Sequence, residues 1–135
     1  MNLLNISEGA SLAMHSLALI VKKYPKRMNA KSLAEELGAS QSHLSKIFQR
    51  LTKMNLVNSL RGPAGGFELN VSAKDISFLD IYESIEGKVI VDKCPLGKKG
   101  CAFENCIFSS KINVITKELY NTLKEIKLSD FEMKN

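Results

Sequence analysis

The stretch LAEELGASQSHLSKIFQRL, residues 33 to 51, decides the fold because it places two helical patterns on either side of one glycine. The first pattern covers residues 30 to 37, and Gly38 after it is a typical breaker at the carboxyl end of a helix. The second pattern covers residues 41 to 54, and Ser40 can cap its amino terminus. Two helices joined by a tight turn, the second of them polar on one side, are typical of a helix-turn-helix.

The second helix of this pair has an apolar face and a polar face. The apolar positions recur at helical spacing and predict one buried stripe made of Leu44, Ile47, Phe48, Leu51 and Met54. If the helix enters the major groove of DNA, its first side chains reach base edges and later ones meet phosphate. The candidate base-reading residues are Ser40, Gln41, Ser42, His43 and Ser45, and the candidate phosphate-binding residues are Lys46, Gln49 and Arg50. An ordinary surface helix shows the same two faces, so the neighbouring elements have to distinguish a DNA-reading helix from a solvated surface helix.

The segment after this helix predicts a β-hairpin with a glycine-rich tip. Residues 57 to 60 and 67 to 69 look like two short strands, and RGPAGG, residues 61 to 66, forms the turn between them. Such a hairpin is the wing of a winged helix-turn-helix. Arg61 at its tip can enter a minor groove or hold a phosphate, because the glycines permit close approach of the backbone. The order of these elements favours a DNA-binding domain over a solvated surface helix.

The chain before the helix-turn-helix predicts an amphipathic helix over residues 7 to 24. Ser7 can act as its N-cap, and Glu8 lies in the first turn, where the helix dipole favours negative charge. Pro25 ends the helix. The expected apolar face consists of Ala10, Ala13, Met14, Leu17, Ala18, Ile20, Val21 and Tyr24.

The chain after the hairpin predicts two more helices. Residues 77 to 86 open with Ser77 and Asp80 at the spacing of a capping box. A longer helix over residues 107 to 126 carries an apolar seam made of Ile112, Ile115, Leu119, Leu123 and Ile126. One further turn can start at Ser129. The expected fold is mainly α with a small β-hairpin wing, a winged helix-turn-helix with a long C-terminal helix.

Composition narrows the class of function. With 135 residues, a formal net charge of +5 and a pI of about 9.1, the chain fits one domain that binds a polyanion. Its apolar stretch at residues 11 to 21 is too short to cross a bilayer, and Glu8 stands where a secretory signal carries positive charge. We therefore expect a cytoplasmic protein without a membrane partner. No nucleophile–base pair, phosphate loop or dinucleotide fingerprint indicates an enzyme or an organic substrate.

All three cysteines lie in KCPLGKKGCAFENCIF, residues 93 to 108, at the spacing Cys94-x6-Cys101-x4-Cys106. Clustered thiols in a cytosolic protein indicate metal binding or redox chemistry more than a structural disulfide. Thiolates suit iron–sulfur clusters, and the lysines of this segment favour the thiolate form. The spacing lacks the C-x2-C pair of a zinc ribbon. A metal site, a thiol redox switch and inert cysteines all remain open from the residues alone.

The chain resembles the IscR/NsrR family of Rrf-type winged-helix transcription regulators over nearly its whole length. The resemblance rests on LAEELGASQSHLSKIFQRL, the wing RGPAGGFEL, the helix ISFLDIYESIEG and the three-cysteine segment. It implies a homodimer built on the long C-terminal helix and a pseudo-palindromic DNA operator. For many members it also implies an iron–sulfur cluster that controls the affinity for DNA.

The resemblance also implies a set of cluster ligands. Cys94, Cys101 and Cys106 supply three thiolates, with gaps that depart by one residue from the usual five. IscR-like members place a histidine three residues after the third cysteine, where this chain has Ser109. NsrR-like members use an acidic residue near the start of the first helix of the other subunit, and the matching residue is Glu8. His15 on the same helix is the reserve candidate.

We therefore expect residues 1 to 88 to form the DNA-binding domain, residues 89 to 107 the cluster-binding loop, and residues 108 to 135 the dimerisation helix and tail. The expected protein is a repressor, closer to the NsrR-like members, whose cluster senses nitric oxide or redox state, and a 4Fe–4S cluster fits better than a 2Fe–2S cluster. Two alternatives stay open. One is a thiol–disulfide switch without a cluster, and the other is a cluster-carrying or protein-binding module that does not read DNA.

Overall fold

The computed structural model describes residues 5 to 91 and 101 to 133. The helices are α1 (Glu8–Lys23), α2 (Ala30–Leu37), α3 (Gln41–Lys53), α4 (Phe78–Glu86) and α5 (Lys111–Glu125), the strands are β1 (Val57–Leu60) and β2 (Gly66–Leu69), and two 3-10 turns cover Ala73–Asp75 and Leu128–Phe131. The two strands pair antiparallel. The mainly α fold with one β-hairpin is confirmed. No helix in the described part of the chain is long and apolar enough to cross a membrane.

Helix α1 begins where the capping signal predicts and forms the centre of the core. The Ser7 hydroxyl accepts a hydrogen bond from the Ala10 N–H, and Ala10, Ala13 and Leu17 are fully buried. The prediction that Tyr24 lies on the apolar face is wrong, because its side chain is 79% exposed. Tyr24 caps the carboxyl end of α1 with an extended ψ, so the chain has already left the helix there.

The turn between α2 and α3 has the expected geometry. Gly38 adopts a left-handed conformation with φ +63°, and its N–H donates to the Ala34 carbonyl. The Ser40 hydroxyl accepts a hydrogen bond from the His43 N–H at 3.1 Å. The predicted buried stripe of α3 is confirmed at Leu44, Ile47, Phe48 and Leu51. It is wrong at Met54, which is 48% exposed because it caps the carboxyl end beyond the last turn.

The wing is held against the rest of the domain on two sides. The Phe67 ring stacks on the Phe48 ring of α3, with the ring centroids 4.0 Å apart. On the other side the Phe67 N–H donates to the Met28 carbonyl, so the segment before α2 adds a one-residue bridge to β2. β2 begins one residue earlier than expected, at Gly66. A side chain there would lie 2.7 Å from the Met28 carbonyl oxygen, which explains the glycine.

The sequence predicted the start of α4 more accurately than the start of α5. The capping box between Ser77 and Asp80 is present at the start of α4 as predicted. Helix α5 begins at Lys111 rather than at residue 107, because Ser109 and Ser110 have φ values of 54° and 58°, which a right-handed helix excludes. After α5, the Leu128 N–H donates to the Ile76 carbonyl, so the chain returns to the start of α4.

Candidate nucleic-acid interface and cysteine segment

The outer face of α3 presents the polar side chains that the sequence predicted for DNA reading. Gln41, Ser42, Lys46 and Gln49 are exposed, and His43 and Ser45 are half-buried. Ser40 is exposed too, but its hydroxyl caps α3 and lies 2.9 Å from the Ser42 hydroxyl. The amino terminus of α3 is therefore capped by Ser40, which also contacts Ser42. The amide and ammonium groups on the outer face of the helix are exposed to solvent.

Arg50 is exposed, but it also makes a contact within the protein. Its Nε donates a hydrogen bond of 2.9 Å to the Ser84 carbonyl oxygen in α4. The two residues are 34 positions apart, and the acceptor is a backbone atom, so no pattern in the sequence points to this contact. Arg50 therefore ties α3 to α4, whereas the sequence predicted a role at phosphate.

The wing tip is built around glycines and is contacted by an arginine from outside the wing. Gly62 has a φ of +99°, and a Cβ on Gly65 would lie 2.2 Å from the Leu60 carbonyl oxygen. Arg61 is exposed at this tip. The arginine from outside the wing is Arg27, which was not among the predicted residues. Its Nη1 donates to the Ala64 carbonyl, and its Nη2 lies 3.4 Å from a Glu68 carboxylate oxygen. The bridge between Met28 and Phe67 brings Arg27 to the wing, and no local signal could have shown it.

The structure describes two of the three cysteines, and Cys94 lies outside the described residues. Cys101 and Cys106 are both exposed, and neither is in a disulfide. The backbone N–H groups of Ser110, Phe108 and Ser109 lower the pKa of the Cys106 thiol from its ordinary value, because they stabilise the thiolate. Among residues 5 to 91 and 101 to 133, no three His, Cys, Asp or Glu side chains lie together in a way that could hold a metal ion.

The two candidates for the fourth ligand both lie on the surface of α1. Glu8 is exposed at the first helical position, directly after Ser7, which donates a hydrogen bond to the Glu86 carboxylate. His15 is exposed rather than buried in the core, and its Nδ1 lies 2.7 Å from the Ser11 carbonyl oxygen. Because a carbonyl oxygen only accepts, Nδ1 is the donor in this contact. As a fourth ligand, Glu8 would have to reach the cysteines of a second subunit, so its assignment as a ligand stays a prediction.

Apolar side chains are exposed around the amino-terminal half of α5. Ile112 and Ile115 belong to the predicted seam and are exposed, whereas Leu123 at the other end is buried against the core of the same subunit. Phe103, Ile107 and Phe108 in the segment before the helix are exposed as well. The amino-terminal half of α5 thus extends beyond its own domain.

A helix-turn-helix, a wing stacked on its second helix and an exposed polar face on that helix define a winged-helix DNA-binding protein. The family is established by comparison with known proteins: a family model named Rrf2 and described as "Iron-dependent Transcriptional regulator" matches residues 6 to 133. The chain belongs to the Rrf2 family of transcription regulators.

Individual relatives agree with this assignment. YffB of Lactococcus lactis is 29% identical over 133 residues, which cover 93% of this chain and 85% of YffB. The transcriptional regulator IscR of Klebsiella pneumoniae is 31% identical over 99 residues, which cover 73% of this chain and 60% of that protein. The solved structure of CymR from B. subtilis, the global cysteine regulator, has a TM-score of 0.74 at 22% identity and 95% coverage of both chains, and this similarity supports the fold. These relatives confirm that the protein is a transcription regulator and not an enzyme.

Proposed function

We propose that the protein is a homodimeric, cytoplasmic repressor whose affinity for its DNA operator is set by an iron–sulfur cluster that responds to nitric oxide or redox state. The observation that carries the proposal is the pair of exposed, unpaired thiols, Cys101 and Cys106, directly before α5. Because the family is described as iron-dependent, free thiols next to the DNA-binding domain are suited to act as iron ligands.

The donor set of this segment fits an iron–sulfur cluster. Cys101 and Cys106 offer soft ligands on irregular backbone, and the turn after Cys106 favours its thiolate form. We propose Cys94, Cys101, Cys106 and Glu8 of the partner subunit as ligands of a 4Fe–4S cluster, with His15 in reserve. When bound, the cluster supplies a centre that reacts with nitric oxide or oxidants. A carboxylate at the fourth position exchanges more readily than a thiolate, which suits a sensor.

The proposed dimer joins two chains through α5. Ile112 and Ile115 on its exposed half would be buried against the partner, at a gain of roughly 25 cal/mol per Å² of apolar surface. On this proposal residues 1 to 88 read DNA, residues 89 to 107 hold the cluster and residues 108 to 135 join the subunits. Two copies of α3 related by a twofold axis would then read a pseudo-palindromic operator.

The proposed DNA contacts follow the exposed face of α3 and the wing. Gln41, Ser42, His43 and Ser45 lie in the first part of α3, which enters the major groove in this class of protein, and Ser40 precedes them. We propose that Lys46 and Gln49, which are exposed, contact phosphate, and that Arg61 at the wing tip contacts a phosphate or a minor groove. The description of the family as transcriptional regulators supports DNA reading over the alternative of a module that does not read DNA.

The test is anaerobic purification followed by iron and sulfide analysis and absorption spectra, before and after exposure to nitric oxide or air. The proposal expects iron and sulfide in near-equal amounts, a visible absorption band that either treatment bleaches, and altered DNA affinity afterwards. If the anaerobically purified protein contains no iron or sulfide, the cluster proposal is wrong. A Glu8→Ala variant tests the fourth ligand alone, with Glu125→Ala, at the far end of α5, as its control.

The exposure of both described thiols also supports a second candidate, a thiol–disulfide switch. Cys101 and Cys106 are only five positions apart on an irregular segment and are open to oxidants. Mass spectrometry of oxidised, metal-free protein separates the candidates. A reversible disulfide between two of the three thiols that changes DNA affinity in protein purified without iron favours the switch. Oxidation that leaves DNA affinity unchanged argues against it.

A further inference from the structure

The last turn of α4 is connected to the recognition helix through Arg50. The Ser84 carbonyl is one of the last four in α4, which have no partner within the helix. The Arg50 Nε supplies that partner at 2.9 Å. The positive charge of the guanidinium also suits the negative carboxyl end of the α4 dipole. The acceptor is well fixed, because Ser84 is buried and its own hydroxyl donates to the Asp80 carbonyl at 2.7 Å.

The same turn of α4 is connected to two other parts of the molecule. The Glu83 carboxylate accepts a hydrogen bond of 2.8 Å from the Val89 N–H, in the stretch that leads from α4 toward the cysteine segment. The Glu86 carboxylate accepts a hydrogen bond from Ser7, the N-cap of α1. Three residues of α4, Glu83, Ser84 and Glu86, therefore contact the chain that leads to the cysteines, the recognition helix and the start of α1.

We propose that Arg50 is a positioning residue, which fixes the orientation of α3 by holding it on the last turn of α4 and does not act on phosphate. The wing holds α3 through the stacking of Phe48 on Phe67, and Arg50 near the end of the helix provides a second point of attachment. Because the guanidinium is planar, bonding of its Nε to Ser84 also fixes the plane of the side chain. The inference rests on the proposed DNA-reading function and assigns to Arg50 the link between that function and α4.

The test compares Arg50→Met with Lys46→Met, which removes an exposed cation from the same helix. The probe is a 30-base-pair duplex selected by the wild-type protein from a random library, and its affinity is measured by fluorescence anisotropy over a series of salt concentrations. A residue that binds phosphate contributes about one unit to the slope of log affinity against log salt concentration. Hydrogen exchange of metal-free protein without DNA reports on the amides of Gly87 and Val89 at the end of α4.

The expected result for Arg50→Met is an affinity loss of about tenfold with a nearly unchanged salt slope, and exchange at Gly87 and Val89 that is about tenfold faster. Lys46→Met is expected to lower the slope by about one and to leave that exchange unchanged. The inference is overturned if Arg50→Met lowers the slope as far as Lys46→Met does, or if the exchange does not change. Should Arg50→Met not fold, Arg50→Gln takes its place with the same expectations. Failure of the wild-type protein to select any duplex would overturn the proposed function itself, a result distinct from these.

Discussion

Cys106 carries a thiol whose pKa is lowered by the backbone around it. The N–H groups of Ser110, Phe108 and Ser109 lower its pKa, so the folded chain keeps the thiolate at lower pH than the unfolded chain does. Their support for the folded state is present above the unfolded pKa and is lost as the pH falls through the folded pKa.

We expect alkylation of Cys106 by iodoacetamide in metal-free protein to persist at pH values below the ordinary thiol pKa of 9.0. Mass spectrometry of peptides, after labelling from pH 6 to 10, gives the profile for this residue. In urea the same profile should move to higher pH, because the turn is lost. Identical profiles for folded and unfolded protein would contradict the structural origin of the shift.

Ser16 is a second residue with a measurable consequence. It is fully buried in α1, and within the described residues its hydroxyl has no hydrogen-bond partner. Ser16→Ala is therefore expected to leave the free energy of unfolding unchanged or to raise it by up to about 1 kcal/mol. Ser84→Ala is the control, because the hydroxyl of Ser84 is bonded to the Asp80 carbonyl and its loss costs about 1 kcal/mol. Urea unfolding compares the two, and equal losses would show that Ser16 is satisfied in solution.

Local rules predicted the residues that act on their own neighbours in sequence. Ser7, Ser40 and Ser77 cap helices as expected, since a cap involves only the next few backbone N–H groups. The contacts from Arg27 to Ala64 and from Arg50 to Ser84 do not follow from local rules, because each joins positions more than thirty residues apart and ends on a backbone carbonyl. Such pairs arise only when the helices have packed.

At the scale of elements, the wing depends on a residue outside it. Arg27 contacts both the carbonyl of Ala64 at the tip and Glu68 on β2. Because these contacts are solvent-exposed, they contribute less than about 1 kcal/mol. We expect Arg27→Gln to lower DNA affinity severalfold by loosening the tip that carries Arg61.

A double-mutant cycle separates this indirect role from a direct DNA contact. If Arg27 acts through the tip, Arg27→Gln has little further effect once Arg61→Ala is present. DNA titrations of the wild-type protein, both single variants and the double variant measure the coupling. Additive effects of the two substitutions would mean that Arg27 does not act through Arg61.

The elements also show where sequence signals end. The first helix and the helix-turn-helix were placed to within about a residue because caps and glycine mark their ends. The start of α5 was placed four residues too early, since Ser109 and Ser110 adopt left-handed backbone without the glycine that usually announces it. The apolar residues at 107 and 108 continued the helical pattern and hid the turn.

At the scale of the whole molecule, α5 is a helix with one half inside the domain and one half outside. Leu123 is buried, whereas Ile115 is 52% exposed. We expect Ile115→Asp to convert the proposed dimer into monomers, because it places a charge in the interface. Sedimentation equilibrium measures the mass of the particle in each case.

Val114 provides a matched control for this substitution. It is 56% exposed and lies about 100° around the helix axis from Ile115, so Val114→Asp adds the same charge outside the seam. The Val114→Asp variant should remain dimeric with an unchanged melting temperature. Dimers of Ile115→Asp, or monomers of the wild-type protein, would show that α5 does not join the subunits in the proposed way. The sequence predicted the apolar seam of α5, but only the packing of α5 against α4 shows which half of the helix is exposed and can contact a partner.

The return of the chain to the start of α4 has a consequence for synthesis in the cell. Leu128 is fully buried, and its N–H bonds to the carbonyl of Ile76, while Phe78 donates to the carbonyl of Ile126. In a nascent chain that has emerged only as far as α4, this flank of α4 stays uncovered until the residues after α5 leave the ribosome. Any chaperone that binds exposed apolar surface during translation would therefore meet this protein at α4.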